Sequence, residues 1–531
     1  MNTRSSRSWN IKSGILIAVF IICMIGIAGF CRFFVVHNDF WGNYYLSQHL
    51  SFSRVSTWLD DLYPCGYTMA LKLISGGAYP VPAAIFLNIL LSSLVIGALL
   101  LLFRAFRFPF RFAGATVTAV VLFPRMFHYF CAAGADAGAV AFFSLGVALL
   151  FARDAFRGRR GFAVAGGIAL GLGGIWRSHA EYSALIFIAL YFAFYERSLK
   201  SLLFTLGGFA MPSSLQWFAM AAGGAESHHA VFSYYIWNLM YPINWYHAAD
   251  VAPPASALAL ILRDPPLFAG HYLSLLTISL LPVAAAPAFF AAIVLGQCRK
   301  AALHPGEPEG IKRGPDYAAP ENCARLFRAC TIWCAFSVSY CCMVAAGASS
   351  RALLLPVPLT FFFLAASLII PVARFPSRQR RSILVCAGIG LVMIVFVQRD
   401  VHKVRLWRET ALAYEAVESA AMQAGVTRAG EIFSTDFDLY FHRLRPFRPI
   451  MNGGWLKFRI YRSNGLLPDF NISSGDALRE DCLKYQVKCL CLSKDAAKAS
   501  PFLGNLYACP GSSPQFRPVK EIGEEKLFCV R

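Results

Sequence analysis

The chain has 531 residues, 57% of them hydrophobic and only 15% charged, with a formal net charge of +20 and a mean hydropathy of +0.52. Soluble proteins carry roughly a quarter charged residues, so this composition excludes an ordinary water-soluble globule and makes lipid part of the solvent. Apolar runs long enough to cross roughly 30 Å of hydrocarbon recur through about the first 400 residues, and a β-barrel is excluded by their length.

The first run, at roughly residues 14–36, follows the basic residues Arg4, Arg7 and Lys12. Its apolar core is too long for a secretory signal, and no clear small-residue cleavage site precedes His37, so it reads as a retained first helix. Further spans fall at roughly 81–103, 112–127, 136–151, 162–176, 182–195, 201–222, 272–295, 329–346, 352–372 and 382–398, which gives a polytopic α-helical membrane protein of about eleven crossings. The two spans flanking Arg177 are short, and the first holds Gly166, Gly167, Gly171, Gly173 and Gly174. A shallow hairpin is the alternative there, and it leaves the parity of crossings unchanged.

Basic residues test this topology independently. With a cytoplasmic N-terminus, the inside segments hold 22 Lys and Arg, among them Arg104, Arg107, Arg153, Arg160, Arg299, Lys312, Arg378 and Arg381. The outside segments before the tail hold seven: Arg32, Arg54, Lys72, Arg125, Arg177, Arg263 and Arg351. This is the positive-inside pattern. It accounts for most of the net charge, so nucleic-acid binding is not indicated.

The chain divides into a transmembrane module, 1–398, with a first outer loop at 37–80 and a large outer loop at 223–271, and a soluble domain, 399–531. In the second part the apolar runs stop, 402–423 has helical spacing, and 431–434, 487–492 and 526–530 resemble strands. Parity places this small α/β domain outside. Of the 16 cysteines, Cys482, Cys489, Cys491, Cys509 and Cys529 belong to it; a disulfide is allowed there, and sequence alone does not assign its pairing.

Chemistry is expected among the few polar groups of the outer face, because ionisable residues near spans are costly and enriched in function. The first outer loop begins His37-Asn38-Asp39-Phe40-Trp41 and continues through Tyr44 to Asp60-Asp61-Leu62-Tyr63-Pro64-Cys65-Gly66-Tyr67. Its aromatic residues recur at helical spacing, as in an interfacial helix, and a plain aromatic belt with solvated acids explains them equally. Asp136 opens the fourth span, where a helix cap is the plain alternative. Arg177, His179 and Glu181 cluster in the next outer turn, where an internal ion pair is the alternative. Arg351 precedes Ala352-Leu353-Leu354-Leu355-Pro356. An arginine placed against the charge bias requires an anion, either a protein acid or a lipid phosphate.

In order and sidedness these residues resemble the membrane glycosyltransferases of the GT-C fold, which include protein O-mannosyltransferases and lipid A aminoarabinose transferases. Asp39, the Tyr63-Pro64-Cys65-Gly66-Tyr67 segment, Asp136 and Arg351 match the family's motifs in sequence, and the large outer loop and exported C-terminal domain extend the likeness over most of the chain. Three positions depart from the pattern: Phe40 follows Asp39 where a Glu is common, Ala352 follows Arg351 where a Tyr is common, and Tyr63 stands where some relatives place a lysine.

The resemblance implies transfer of a sugar from a dolichyl- or undecaprenyl-phosphate donor to a lipid, glycan or protein acceptor at the outer face of a bacterial inner membrane. It casts Asp39 as general base, Arg351 and Arg177 as donor-phosphate ligands, and Asp136, Asp60 and Asp61 as positioning groups. His37, Tyr44, Tyr67 and Glu181 would contact substrate. No cofactor is expected and no metal site is assigned, since the outer histidines show no diagnostic ligand spacing. Two rivals remain at this level. A transporter or flippase predicts repeats and broken helices at the midplane, and a non-catalytic envelope scaffold predicts only a partner-binding outer domain.

Overall fold

A computed structural model describes residues 3–33, 35, 39–58, 64–75, 80–156, 159–223, 236, 240, 256–303, 316–345, 354–374, 379–427, 431–434, 470–494 and 496–531. Ten helices come first: α1 (Thr3–Phe30), α2 (Asp39–His49), α3 (Cys65–Ser75), α4 (Pro80–Ala105), α5 (Phe110–Val121), α6 (Pro124–Cys131), α7 (Asp136–Ala152), α8 (Arg159–Trp176), α9 (Ser178–Phe194) and α10 (Leu199–Gly223). Later helices include Pro265–Ser274, Ala286–Leu303, Pro320–Ala345, Val357–Arg374 and the 45-residue Gln379–Gln423. Between the first two of these, Leu275–Ala285 is π-helical around Pro282, where a residue without an N–H cannot continue the ordinary hydrogen-bond ladder.

In its described residues each expected span overlaps helical backbone, and the protein is a multi-pass membrane protein. Among the described residues, length and composition alone qualify four helices to cross a bilayer, or six if each bent pair counts as one span. That is fewer than the expected crossings, and at two of them geometry shows why. The 18 residues of α8 extend about 27 Å, just short of the hydrocarbon thickness. The segment expected at 112–127 is two helices, α5 and α6, bent by 76°. The break falls where Pro124 opens α6, a position that suits proline because the first helical N–H has no partner to lose.

The core runs through α4, α7, α8 and α10, which pack in that order. Glycines bring the α7–α8–α10 backbones close, with Leu150, Leu170 and Trp176 packed over the glycines of the α7–α8 contact. A Cβ on Gly146 of α7 would lie 2.9 Å from the Gly166 carbonyl of α8. On the other side of α8, a Cβ on Gly167 or Gly171 would collide with the carbonyls of Thr205 or Phe209 of α10. Small residues let helix backbones touch where lipid supplies no hydrophobic drive between helices. The glycine-rich composition of α8 is thus a packing device. Gly171→Ala is expected to lower the thermal midpoint of the detergent-solubilised protein by an amount matching about 1–3 kcal/mol. Gly207→Ala, whose Cβ meets nothing within 4 Å, should leave the midpoint unchanged or raise it.

The C-terminal region carries a four-stranded sheet, ordered β1-β2-β4-β3, formed by β1 (Ile432–Ser434), β2 (Cys489–Leu492), β3 (Phe516–Ile522) and β4 (Glu525–Val530). The first pair is parallel and the other two antiparallel. Alternation sorts the side chains. Leu490, Leu492 and Phe528 enter one core with Leu478, Leu503 and Leu506, while Cys489, Cys491 and Leu527 pack against Val417, Ala420 and Ala421 of the long helix. Covering on both faces explains why β2 is buried at every residue. Three of these strands match expected segments; β3 was not anticipated, because its exposed, charged run Arg517-Pro518-Val519-Lys520-Glu521 lacks apolar alternation.

Candidate functional site

Asp136 is set by the segment that precedes it. Asn88, buried on α4, donates from Nδ2 to the carbonyls of Ala132 (2.5 Å) and Gly134 (2.8 Å). The Ala133 amide donates to the Val35 carbonyl just beyond α1 at 2.9 Å. These three bonds satisfy the backbone of an irregular turn inside an apolar setting, where an unmade bond costs about 1–3 kcal/mol. They deliver Asp136 to the first position of α7, where its carboxylate faces the positive end of the helix dipole.

Arg177 stands at the N-cap of α9, an electropositive position that disfavours a cation. Its Nε lies 3.0 Å from Asp136 Oδ1, with side chains only 13% and 6% exposed. Burial at this level makes the two charges mutually dependent, since either alone would be stranded away from water. A guanidinium carries five donors, more than one carboxylate can take.

Tyr67 joins the pair from the first outer loop. It is fully buried on α3, its ring 5.9 Å from that of Trp176, and its hydroxyl lies in the field of Arg177 and Asp136 beside Gly134. Burial raises its phenol well above the ordinary range, and the arginine opposes the shift. Two glycines make this approach possible. A Cβ on Gly66 would sit 2.8 Å from the Ile175 carbonyl, and one on Gly138 would collide with the Trp176 indole. Thr68, next along α3, donates to Asn43 Oδ1 at 3.2 Å, which ties α3 to α2, the helix that Asp39 begins.

His179 occupies the same turn, its pKa pushed down to about 4 by burial and by Arg177, so its imidazole is neutral at physiological pH. Glu181 has turned to α10 instead: it accepts from Trp217 Nε1 at 2.9 Å and from Gln216 Nε2 at 3.5 Å. Burial raises its pKa, and the tryptophan bond opposes this. Tyr44 stacks on Phe40, with centroids 6.1 Å apart.

Of the residues named from sequence, Tyr67, Asp136 and Arg177 therefore come together. Glu181, on α9, is bonded to Trp217 and Gln216 of α10, and Tyr44 belongs to the attached α2 helix. His37, Asp60, Asp61 and Arg351 lie outside the described residues, and Asp39 is described in its backbone only. Among the described residues no group of three His, Cys, Asp or Glu side chains could hold a metal ion.

Two contributors, Asn88 and Tyr340, escaped the sequence reading, as did a buried acid away from the pair, Asp400. Asn88 is an amide inside an apolar run, a signal that was available. Tyr340, fully buried on the Pro320–Ala345 helix, lies in the field of Asp136 from far along the chain, and nothing local marks it. Asp400 follows the last apolar run in Gln398-Arg399-Asp400 and is 4% exposed, with neither oxygen hydrogen-bonded among the described residues. Burial pushes its carboxyl up to about 6, against Lys403 and Arg399.

No family model matches the chain, and no curated protein matches it. Among solved structures it is similar to ArnT from Cupriavidus metallidurans bound to undecaprenyl phosphate, with 13% identity, a TM-score of 0.49, and coverage of 96% of this chain and 97% of that one. It is also similar to the oligosaccharyltransferase AglB from Archaeoglobus fulgidus in complex with an inhibitory peptide and a dolichol-phosphate. There the identity is 11% and the TM-score 0.40, over 93% of this chain and 72% of that one. ArnT and AglB are glycosyltransferases of the GT-C fold, the family that the order of motifs in this sequence resembles.

Proposed function

We propose that the chain is a membrane glycosyltransferase that moves a sugar from a polyprenyl-phosphate-linked donor to an acceptor at the outer face of the cytoplasmic membrane. The observation that carries this reading is the buried Asp136–Arg177 pair with Tyr67 beside it. An arginine kept ionised and aimed by a carboxylate, in a setting of low dielectric, is suited to stabilise a phosphate as it departs.

In the proposed reaction the acceptor oxygen attacks the anomeric carbon as the bond from that carbon to the phosphate oxygen breaks. Asp39 takes the acceptor proton, the electron pair of the broken bond leaves with the polyprenyl phosphate, and Arg177 and Arg351 receive the charge that develops there. Direct displacement inverts the anomeric centre. Asp136 holds Arg177, while Asp60 or Asp61 orients the acceptor. Tyr67, Tyr44, His37 and Glu181 contact the substrates in this reading.

Mass spectrometry of envelope glycans and lipids with and without the gene tests the reading. Loss of one sugar from one acceptor is the expected result and names both substrates. The 76° break between α5 and α6 favours a second reading, transport, because broken helices are a transporter feature. Unchanged glycans with an altered lipid distribution between leaflets would favour that reading.

A further inference from the structure

Cys489 of β2 and Cys529 of β4 stand directly opposite each other in an antiparallel pair. The Val530 amide donates to the Lys488 carbonyl at 2.9 Å, which makes Lys488 and Val530 the hydrogen-bonded pair and the two cysteines, one step along, the non-hydrogen-bonded pair. Side chains approach most closely at such positions, with Cα atoms about 4.5 Å apart, and a disulfide accepts Cα separations of roughly 4.4–6.8 Å. The two Sγ atoms are 3.7 Å apart. Closing a bond therefore requires rotation about the two Cα–Cβ bonds and no change of strand register.

The other cysteines of the domain are placed differently. Cys491 opposes Leu527 and its thiol donates to Glu525 Oε2 at 3.4 Å. Cys482 lies in the core on the opposite face of the sheet, and Cys509 is exposed.

We propose that Cys489 and Cys529 form a cross-strand disulfide in the mature protein. The inference rests on the reading that residues 399–531 lie outside the cytoplasm, where disulfides form and persist. Cys529 is partly exposed while Cys489 is buried, and burial pushes the Cys489 thiol up to about 12. Attack therefore starts at Cys529: its thiolate displaces one sulfur from the disulfide of a thiol–disulfide oxidoreductase to give a mixed disulfide. Cys489, as it loses its proton, then displaces the second sulfur. The S–S bond forms, two protons go to solvent, and the oxidoreductase leaves as a dithiol carrying the two electrons. Because Cys529 lies on β4 opposite Cys489 of β2, docking of β4 on β2 brings the two thiols together. It sits on the face that receives Val417, Ala420 and Ala421, so it ties β2 to β4 beneath the long helix.

The test uses the full-length protein in cells whose thiols are trapped by acid and alkylated at harvest, followed by non-reducing peptide mass spectrometry. A linked peptide joining Cys489 and Cys529, with Cys491 and Cys509 alkylated, is expected. Cys529→Ser should abolish the linked peptide, and Cys491→Ser should leave it in place. In parallel, a membrane-impermeant maleimide is applied to spheroplasts and read at Cys509. Labelling of Cys509 together with alkylated, unlinked Cys489 and Cys529 overturns the disulfide while the outside location stands. Labelling of Cys509 only after permeabilisation overturns the outside location, and the disulfide with it.

Discussion

Replacing Arg177 by methionine is expected to destabilise the protein by about 3–5 kcal/mol, because it strands the buried Asp136 carboxylate without its partner. Asp136→Leu should act similarly by stranding the guanidinium. The combined Asp136→Leu, Arg177→Met variant should recover most of that loss, since removing both charges of a buried pair in favour of apolar groups is often nearly neutral. Thermal unfolding in detergent measures all three. Transfer activity separates the structural role from the chemical one. If Arg177 receives charge from the departing phosphate, the folded double variant should remain slower than the native chain by about 10²–10³. Full activity in a refolded double variant would reduce the pair to scaffolding and remove Arg177 from the mechanism.

Asp39→Asn is the second large effect. Asparagine starts a helix as well as aspartate does, so α2 should form and the thermal midpoint should hold. Loss of the base is expected to lower kcat by about 10²–10⁴ with KM for the donor little changed. Single-turnover transfer by purified protein in lipid nanodiscs measures both constants. An unimpaired kcat would assign proton removal to another group, whereas a raised KM at constant kcat would give Asp39 a binding role.

The legible parts of this protein were those written in local pattern. Apolar runs located the helices, and short runs bounded by Gly, Pro or charges located three of the four strands. Asp136 and Arg177 were each visible as charges against an apolar background, but their contact was not. They lie at the N-termini of α7 and α9, separated by the whole of α8, and only tertiary packing brings them to 3.0 Å. The glycines of α8 were seen, with a shallow hairpin drawn from them as the alternative to a full crossing. Their meaning depended on which helices face them, and no single-sequence pattern contains that. The cysteines show the same division: composition announced that a disulfide was allowed, and strand register identified the partners.

The glycine seam that joins α7, α8 and α10 has a mechanical consequence. At the α8–α10 contact, where glycines meet carbonyls, backbone packed on backbone has no rotamers to exchange, and with Leu150, Leu170 and Trp176 held over the glycines of the α7–α8 contact the three helices should travel as a single slab. Arg177 and Asp136 ride on that slab, and their separation is then indifferent to what the rest of the molecule does. Any opening needed to admit a long lipid and release it must be taken up at compliant joints elsewhere. Among the described residues, the elbow before Pro124 and the widened turns around Pro282 are two such joints.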